Sequence, residues 1–193
     1  MNILSVTIFV FLIFILIGIF LFFAVNLYYS IRSRNCPYIG TSQETIDKIL
    51  KEAELKEGQY LLELGCGDGR VLRQAAREYK IKGRGIDIHG WAILKAKILA
   101  RLQNLKNVEF ERGNIFQVKL GEAGVIYLFL TREILEKLAP KIKNEIWPGA
   151  LLISHGFEIP ELEKELLKTI EHGGGLPSFQ RITYFYKCQN PND

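Results

Sequence analysis

Tyr60-Leu61-Leu62-Glu63-Leu64-Gly65-Cys66-Gly67-Asp68-Gly69-Arg70 is the stretch on which the reading of the chain turns. An apolar run with one acid two residues before the first of three alternating glycines predicts a buried parallel strand, a tight turn and then a helix. Glycine lacks a Cβ, so Gly65, Gly67 and Gly69 are free to take positive φ and let the backbone lie against a ligand. The spacing is G-x-G-x-G rather than the G-x-G-x-x-G that cradles a pyrophosphate. Glu63 adds a carboxylate that would repel a diphosphate and suits a ligand carrying an amine and a sulfonium. Cys66 has no histidine near it in sequence and is expected to be a small filler.

Downstream, the pattern alternates strand and helix. Val71, Leu72, Ala75, Ala76 and Tyr79 keep helical spacing, and the next strand, 83–88, ends in Asp87. An acid about twenty residues past the first glycine is placed to accept hydrogen bonds from both ribose hydroxyls, which fits NAD and S-adenosylmethionine equally. A helix through Ile93, Ala96 and Leu102 leads to a short strand, 108–111, and the turn Gly113-Asn114-Ile115-Phe116. Residues 123–130 form an apolar fourth strand, with Thr131 as the N-cap of a helix in which Pro140 is expected to cause a kink or restart. Leu151 to His155 is a fifth strand. Residues 165–171 and 179–188 read as an antiparallel hairpin around Gly173-Gly174-Gly175. The fourth strand carries neither N-P-P-Y nor D-P-P-Y.

Upstream, Thr41-Ser42-Gln43-Glu44 has the form of a capping box with Thr41 as N-cap, followed by a helix to about Leu55. Before it, residues 32–40 form a neck containing Pro37. The first charged residue is Arg32, and the apolar run from Ile3 to Tyr29 would extend roughly 40 Å as a helix, against a hydrocarbon core of about 30 Å. There is no basic leader and no small-residue cleavage site. Residues 1–31 are therefore expected to be an uncleaved transmembrane anchor. Arg32 and Arg34 are expected to place residues 32–193, with the catalytic domain 41–193, on the cytoplasmic side and the N-terminus outside. The net charge of +4 is too small and too interspersed for a nucleic-acid surface. Three cysteines, odd in number and without a C-x-x-C pair, are expected to be reduced thiols, and no metal site is expected.

Taken together, Pro37-Tyr38-Ile39-Gly40-Thr41, the E-L-G-C-G-D-G-R loop, G-N-I-F, the fourth strand ending F-L-T and W-P-G-x-x-x-I-S-H-x-F-E-I resemble a small family of class I methyltransferases. That family includes archaeal protein lysine methyltransferases and membrane-anchored mitochondrial enzymes that methylate the ATP synthase c-subunit or the adenine nucleotide carrier. Gly40 stands where the family has proline. The resemblance implies an α/β Rossmann-like fold, a mostly parallel seven-strand sheet closed by an antiparallel hairpin. It implies S-adenosylmethionine held by Glu63, Gly65, Cys66, Gly67, Gly69, Asp87, Asn114 and Ile115, with Asn114 and Ile115 facing the adenine. It implies attack by a neutral lysine amine on the sulfonium methyl, with Tyr38, Phe129 and Thr131 as the candidates for the acceptor channel and Glu158 and His155 as secondary candidates. The expected partner is a lysine-bearing protein, with membrane proteins among the candidates. Two other readings stay open, a methyltransferase for a lipid or hydrophobic small molecule and a non-catalytic, tethered adenosine-ligand module.

Overall fold

The computed structural model describes residues 3–32, 40–173 and 175–188, in two compact units divided after Pro37. The first is one helix, α1 (Ile3–Arg32). Within it, Ser5–Val25 is long and apolar enough to cross a membrane, and no described side chain is buried.

The second unit is built on a seven-stranded sheet. Its elements are α2 (Gln43–Glu52), β1 (Tyr60–Leu64), α3 (Arg70–Tyr79), β2 (Lys82–Asp87), α4 (Gly90–Leu102), β3 (Val108–Arg112), β4 (Val125–Leu128), α5 (Arg132–Glu145), β5 (Leu151–His155), β6 (Leu166–Glu171) and β7 (Ile182–Lys187). The strand order is β3-β2-β1-β4-β5-β7-β6. β1 to β5 run parallel, and β7 is antiparallel to both neighbours. Chain direction across the sheet reverses between β1 and β4, the switch point outside which α/β sheets bind ligands.

Side chains alternate along the strands and so fill two cores. Leu61, Tyr127, Ile153 and Phe185 pack under α2, α3 and α4, which contribute Ile46, Leu72 and Ile93 among others. Leu62, Leu64, Ile126 and Leu152 face α5 through Leu135, Leu138 and Ile142. The helices supply these residues at three- and four-residue spacing, and full burial of each Leu or Ile stabilises the fold by roughly 1.5–3 kcal/mol.

Several expectations need correction. The N-cap of α2 is Ser42, whose Oγ accepts from Thr45 N–H; Thr41 is one residue too early, and the helix stops at Glu52. β4 is the four-residue Val125–Leu128, shorter than 123–130. Pro140 does not restart α5, which runs unbroken across it; its ring is on the exposed side, where losing one backbone bond leaves no buried carbonyl stranded. The hairpin is present, but residues 178–180 form a 3-10 turn before β7.

Candidate functional site

The carboxyl ends of β1, β2, β3 and β4 bring the glycine loop, Asp87, Asn114 with Ile115, and Phe129 with Thr131 to one edge of the sheet. The loop is shaped by close approach. Gly65 and Gly69 have φ of +78° and +69°, a Cβ on Gly65 would stand 2.6 Å from Leu130 Cδ2, and one on Gly69 would enter the Phe110 ring.

Four backbone donors of this loop are already used. Gly65 and Cys66 N–H both donate to Ile86 O (2.8 and 3.0 Å), and Gly69 N–H donates to Cys66 O (2.8 Å). Gly67 N–H donates to Asp87 Oδ2 (2.8 Å), and Leu72 N–H, in the first turn of α3, donates to Glu63 Oε2 (3.1 Å). A helix N-terminus and glycine loop that bind phosphate must present free N–H groups. Here those of Gly65, Cys66, Gly67, Gly69 and Leu72 are spent on the protein's own carbonyls and carboxylates, which leaves the loop poorly suited to a pyrophosphate. What remains is a concave backbone above three buried acids, Glu63, Asp68 and Asp87, which fits a nucleoside carrying a cationic sulfonium and an amine.

Each acid has a distinct environment. Glu63 is buried beneath the loop, and loss of solvent pushes its carboxyl up to about 8, opposed by the Leu72 hydrogen bond. Asp68 pairs with Arg70 Nε (3.1 Å) and Lys95 Nζ (2.9 Å), and Arg70 Nη1 donates to Thr41 O (3.0 Å), tying the loop to the lead-in of α2. Gly40 lies beside this side chain: a Cβ there would stand 2.8 Å from the Arg70 Nη1, and the guanidinium would have to shift. Asp87 holds Gly67 N–H on Oδ2 and, on Oδ1, the His89 N–H (2.8 Å) and ring Nδ1 (2.9 Å). A carboxylate offers about four lone-pair sites. One stays open for a ribose hydroxyl, and a second opens if the His89 ring swings away.

The remaining cofactor candidates divide. Cys66 is buried against Gly85, and burial first, then Glu63 and Asp87, drives its thiol far above the usual range; it is a filler, inert as a nucleophile. Asn114 Oδ1 accepts Phe116 N–H (3.0 Å), capping a 3-10 turn, and the half-buried Ile115 packs on the α5-side core.

At the acceptor end, Phe129 lies against His155, ring centroids 4.7 Å apart. His155 is fully buried, and desolvation pulls its pKa down to about 3, so the imidazole is neutral. Its Nδ1 meets Thr183 Oγ1 (2.8 Å), which also meets His172 Nε2 (2.8 Å), while His155 Nε2 is buried with no hydrogen-bond partner. Tyr127 OH lies near Thr41, and Thr131 Oγ1 near Glu133, but neither makes a hydrogen bond of standard geometry. Thr131 is the N-cap of α5 by position only. Glu158 is exposed, and Tyr38 lies outside the described residues. The Thr183–His172 pair escaped the sequence reading. Its one trace is Thr183 on the inward-facing parity of β7 with Phe185.

A cleft of about 900 Å³ lined by Tyr60, Leu62, Arg84, Glu111, Lys119 and Glu145 reaches the site at Asn114, which also lines it. It opens toward the start of β1 and the end of α5, on the α5 face, and holds none of the acids described above.

Comparison with known proteins agrees with this geometry. Residues 63–166 match the family model described as the ANTKMT methyltransferase domain. The chain is 33% identical over 142 residues to a protein-lysine N-methyltransferase of Saccharolobus islandicus, covering 71% of this chain and 86% of that one. It is 26% identical to the adenine nucleotide translocase lysine N-methyltransferase of Mus musculus, covering 64% of this chain but only 54% of that one. A crystal structure of an RNA methyltransferase from Salinibacter ruber in complex with S-adenosyl-L-homocysteine superposes with a TM-score of 0.71 at 28% identity, covering 80% of this chain and 98% of that one.

Proposed function

This chain belongs to the ANTKMT methyltransferase domain family and is an S-adenosylmethionine-dependent methyltransferase; from that premise we propose that its acceptor is a lysine side-chain amine of a protein. We propose further that residues 1–31 anchor it in a membrane, with 32–40 as neck and 41–193 as a cytoplasmic catalytic domain.

The observation that carries the acceptor assignment is the unpartnered His155 Nε2, buried beside Phe129 at the tips of β4 and β5. The activity printed for the Saccharolobus islandicus relative supports the same reading. Bound S-adenosylmethionine supplies a methyl group activated by a sulfonium. Gly65, Gly67 and Gly69 would let it lie against the backbone, Asp87 would hold the ribose, Asn114 and Ile115 would face the base, and Glu63 keeps the loop and α3 in register from below.

A lysine of pKa about 10.4 is almost wholly protonated at pH 7, and freeing its lone pair costs roughly 4–5 kcal/mol. A dry pocket beside a cation lowers that cost. With its proton on Nδ1, donated to Thr183 Oγ1, His155 presents a lone pair at Nε2 that accepts an amine N–H and fixes its direction. Thr183 in turn donates to His172 Nε2, so the amine proton has a hydrogen-bonded path away from the pocket. Phe129 and Thr131 form the walls, and positioning supplies much of the rate.

The test uses the full chain reconstituted in lipid, with methyl-labelled S-adenosylmethionine, a membrane extract and total RNA. Label is expected in protein bands that yield methyl-lysine on hydrolysis, and Asp87→Ala should abolish it. Label confined to the organic phase or to RNA would overturn the lysine assignment.

A further inference from the structure

We propose that the outer face of α4, with Ile88 at its start, is a second membrane contact that lies on a bilayer surface bearing anionic headgroups. The proposal rests on the anchored reading above.

α4 is apolar on both sides. Ile93, Ala96 and Ala100 point into the core, and at about 100° per residue Leu94, Ile98 and Leu102 fall on the opposite side, together with Trp91. Their exposures are 46%, 47% and 76%, with Trp91 at 58% and Ile88 at 62%. Of the nine large apolar side chains described as exposed in residues 40–188, these five lie within one stretch of the chain, so they form a patch rather than scattered surface positions. α2, α3 and α5 instead turn charged residues such as Lys48, Arg77 and Lys137 outward. An apolar stripe on a helix otherwise committed to the core calls for a cover.

Charge identifies the cover. From Ile88 to Val108 the chain carries no carboxylate, and of its cations Lys95 is paired with Asp68 while Lys97, Arg101 and Lys106 are exposed. Lys97 and Arg101 are exposed along one edge of the stripe, and Arg112 approaches Gly90 at its start. Apolar residues and a tryptophan edged by cations are the composition of a helix seated in the headgroup layer of an anionic leaflet. A second copy is a poor fit, because two α4 faces would bring the Lys97 and Arg101 of each copy together, and α4 itself carries no acid to pair them. A tether to the same bilayer makes the contact intramolecular, so a face of modest affinity suffices.

Trp91 is itself the probe. In the full chain carrying Trp147→Phe, Trp91 is the sole tryptophan. One chain per nanodisc, with brominated acyl chains and either phosphatidylglycerol or phosphatidylcholine, reads its contact with lipid and removes second copies. Strong quenching is expected in phosphatidylglycerol, falling with added salt, and weak quenching in phosphatidylcholine. Lys97→Gln with Arg101→Gln should lower the docked-to-undocked ratio about fivefold per cation. Ile98→Ser with Leu102→Ser should abolish quenching, with unchanged S-adenosylmethionine binding by calorimetry showing that the domain is folded. Absent quenching, or equal quenching in both lipids, overturns the proposal. Alkaline carbonate treatment of the same preparation tests the anchor separately. A chain that resists extraction yet leaves Trp91 unquenched sinks the docking alone. A chain that is extracted sinks the anchor, and quenching of the extracted chain by added anionic vesicles still decides the docking.

Discussion

Glu63 and His155 are buried ionisable groups whose pKa values are pushed in opposite directions, upward to about 8 and downward to about 3. The folded state therefore favours a protonated Glu63. The stability this contributes is fully present below the carboxylate's unfolded value near 4.5 and is lost as pH rises to 8. The folded state also favours a neutral His155, and that stability is present above the unfolded value near 6.5 and is lost as pH falls toward 3. In ligand-free protein, Glu63→Gln should flatten the decline in unfolding free energy between pH 6.5 and 8, and His155→Asn should flatten the decline below pH 4.5. Denaturation midpoints across pH check both, and parallel curves for wild type and variant would refute the assignments. The sequence marked Glu63 and Asp87 as acids in a binding loop. That Glu63 caps α3 from below, and that Asp87 clamps Gly67 and His89 before it meets any ligand, depended on which backbone N–H groups lay within 3.1 Å of them.

Among the elements, α5 is the informative case. Proline inside a helix removes one backbone bond and crowds the carbonyl four residues earlier, at a cost near 3 kcal/mol, yet α5 runs from Arg132 to Glu145 through Pro140. The buried face formed by Leu135, Leu138, Ala139 and Ile142 outweighs that local cost. Pro140→Ala should accordingly raise stability by about 1–3 kcal/mol without changing methyl transfer, read from the thermal midpoint and initial rates. A drop in stability would mean that the proline stiffens the chain more than it strains the helix. The N-terminus of α2 shows the same limit of local reading. Thr41 and Ser42 are both good caps, and the choice fell to Ser42 because Arg70 takes the Thr41 carbonyl from across the loop.

For the molecule as a whole, the proposed arrangement of a spanning α1 and a cytoplasmic catalytic domain makes one further prediction. Fused at the C-terminus and expressed in bacteria, green fluorescent protein should fluoresce and alkaline phosphatase should be inactive; the reverse pattern would invert the topology. The order of strands, the glycine turn, the acid ending β2, the C-terminal hairpin and the apolar span were legible from sequence alone, because hydrophobic periodicity and glycine placement are local properties. The tertiary structure alone decided which polar atoms are satisfied and which are left waiting. His155, Thr183 and His172 are far apart in the chain and meet only because β7 runs antiparallel beside β5. The apolar outer face of α4 became visible only once its inner face was seen to be filled, since a pattern hydrophobic on both sides does not by itself say which side the core has taken.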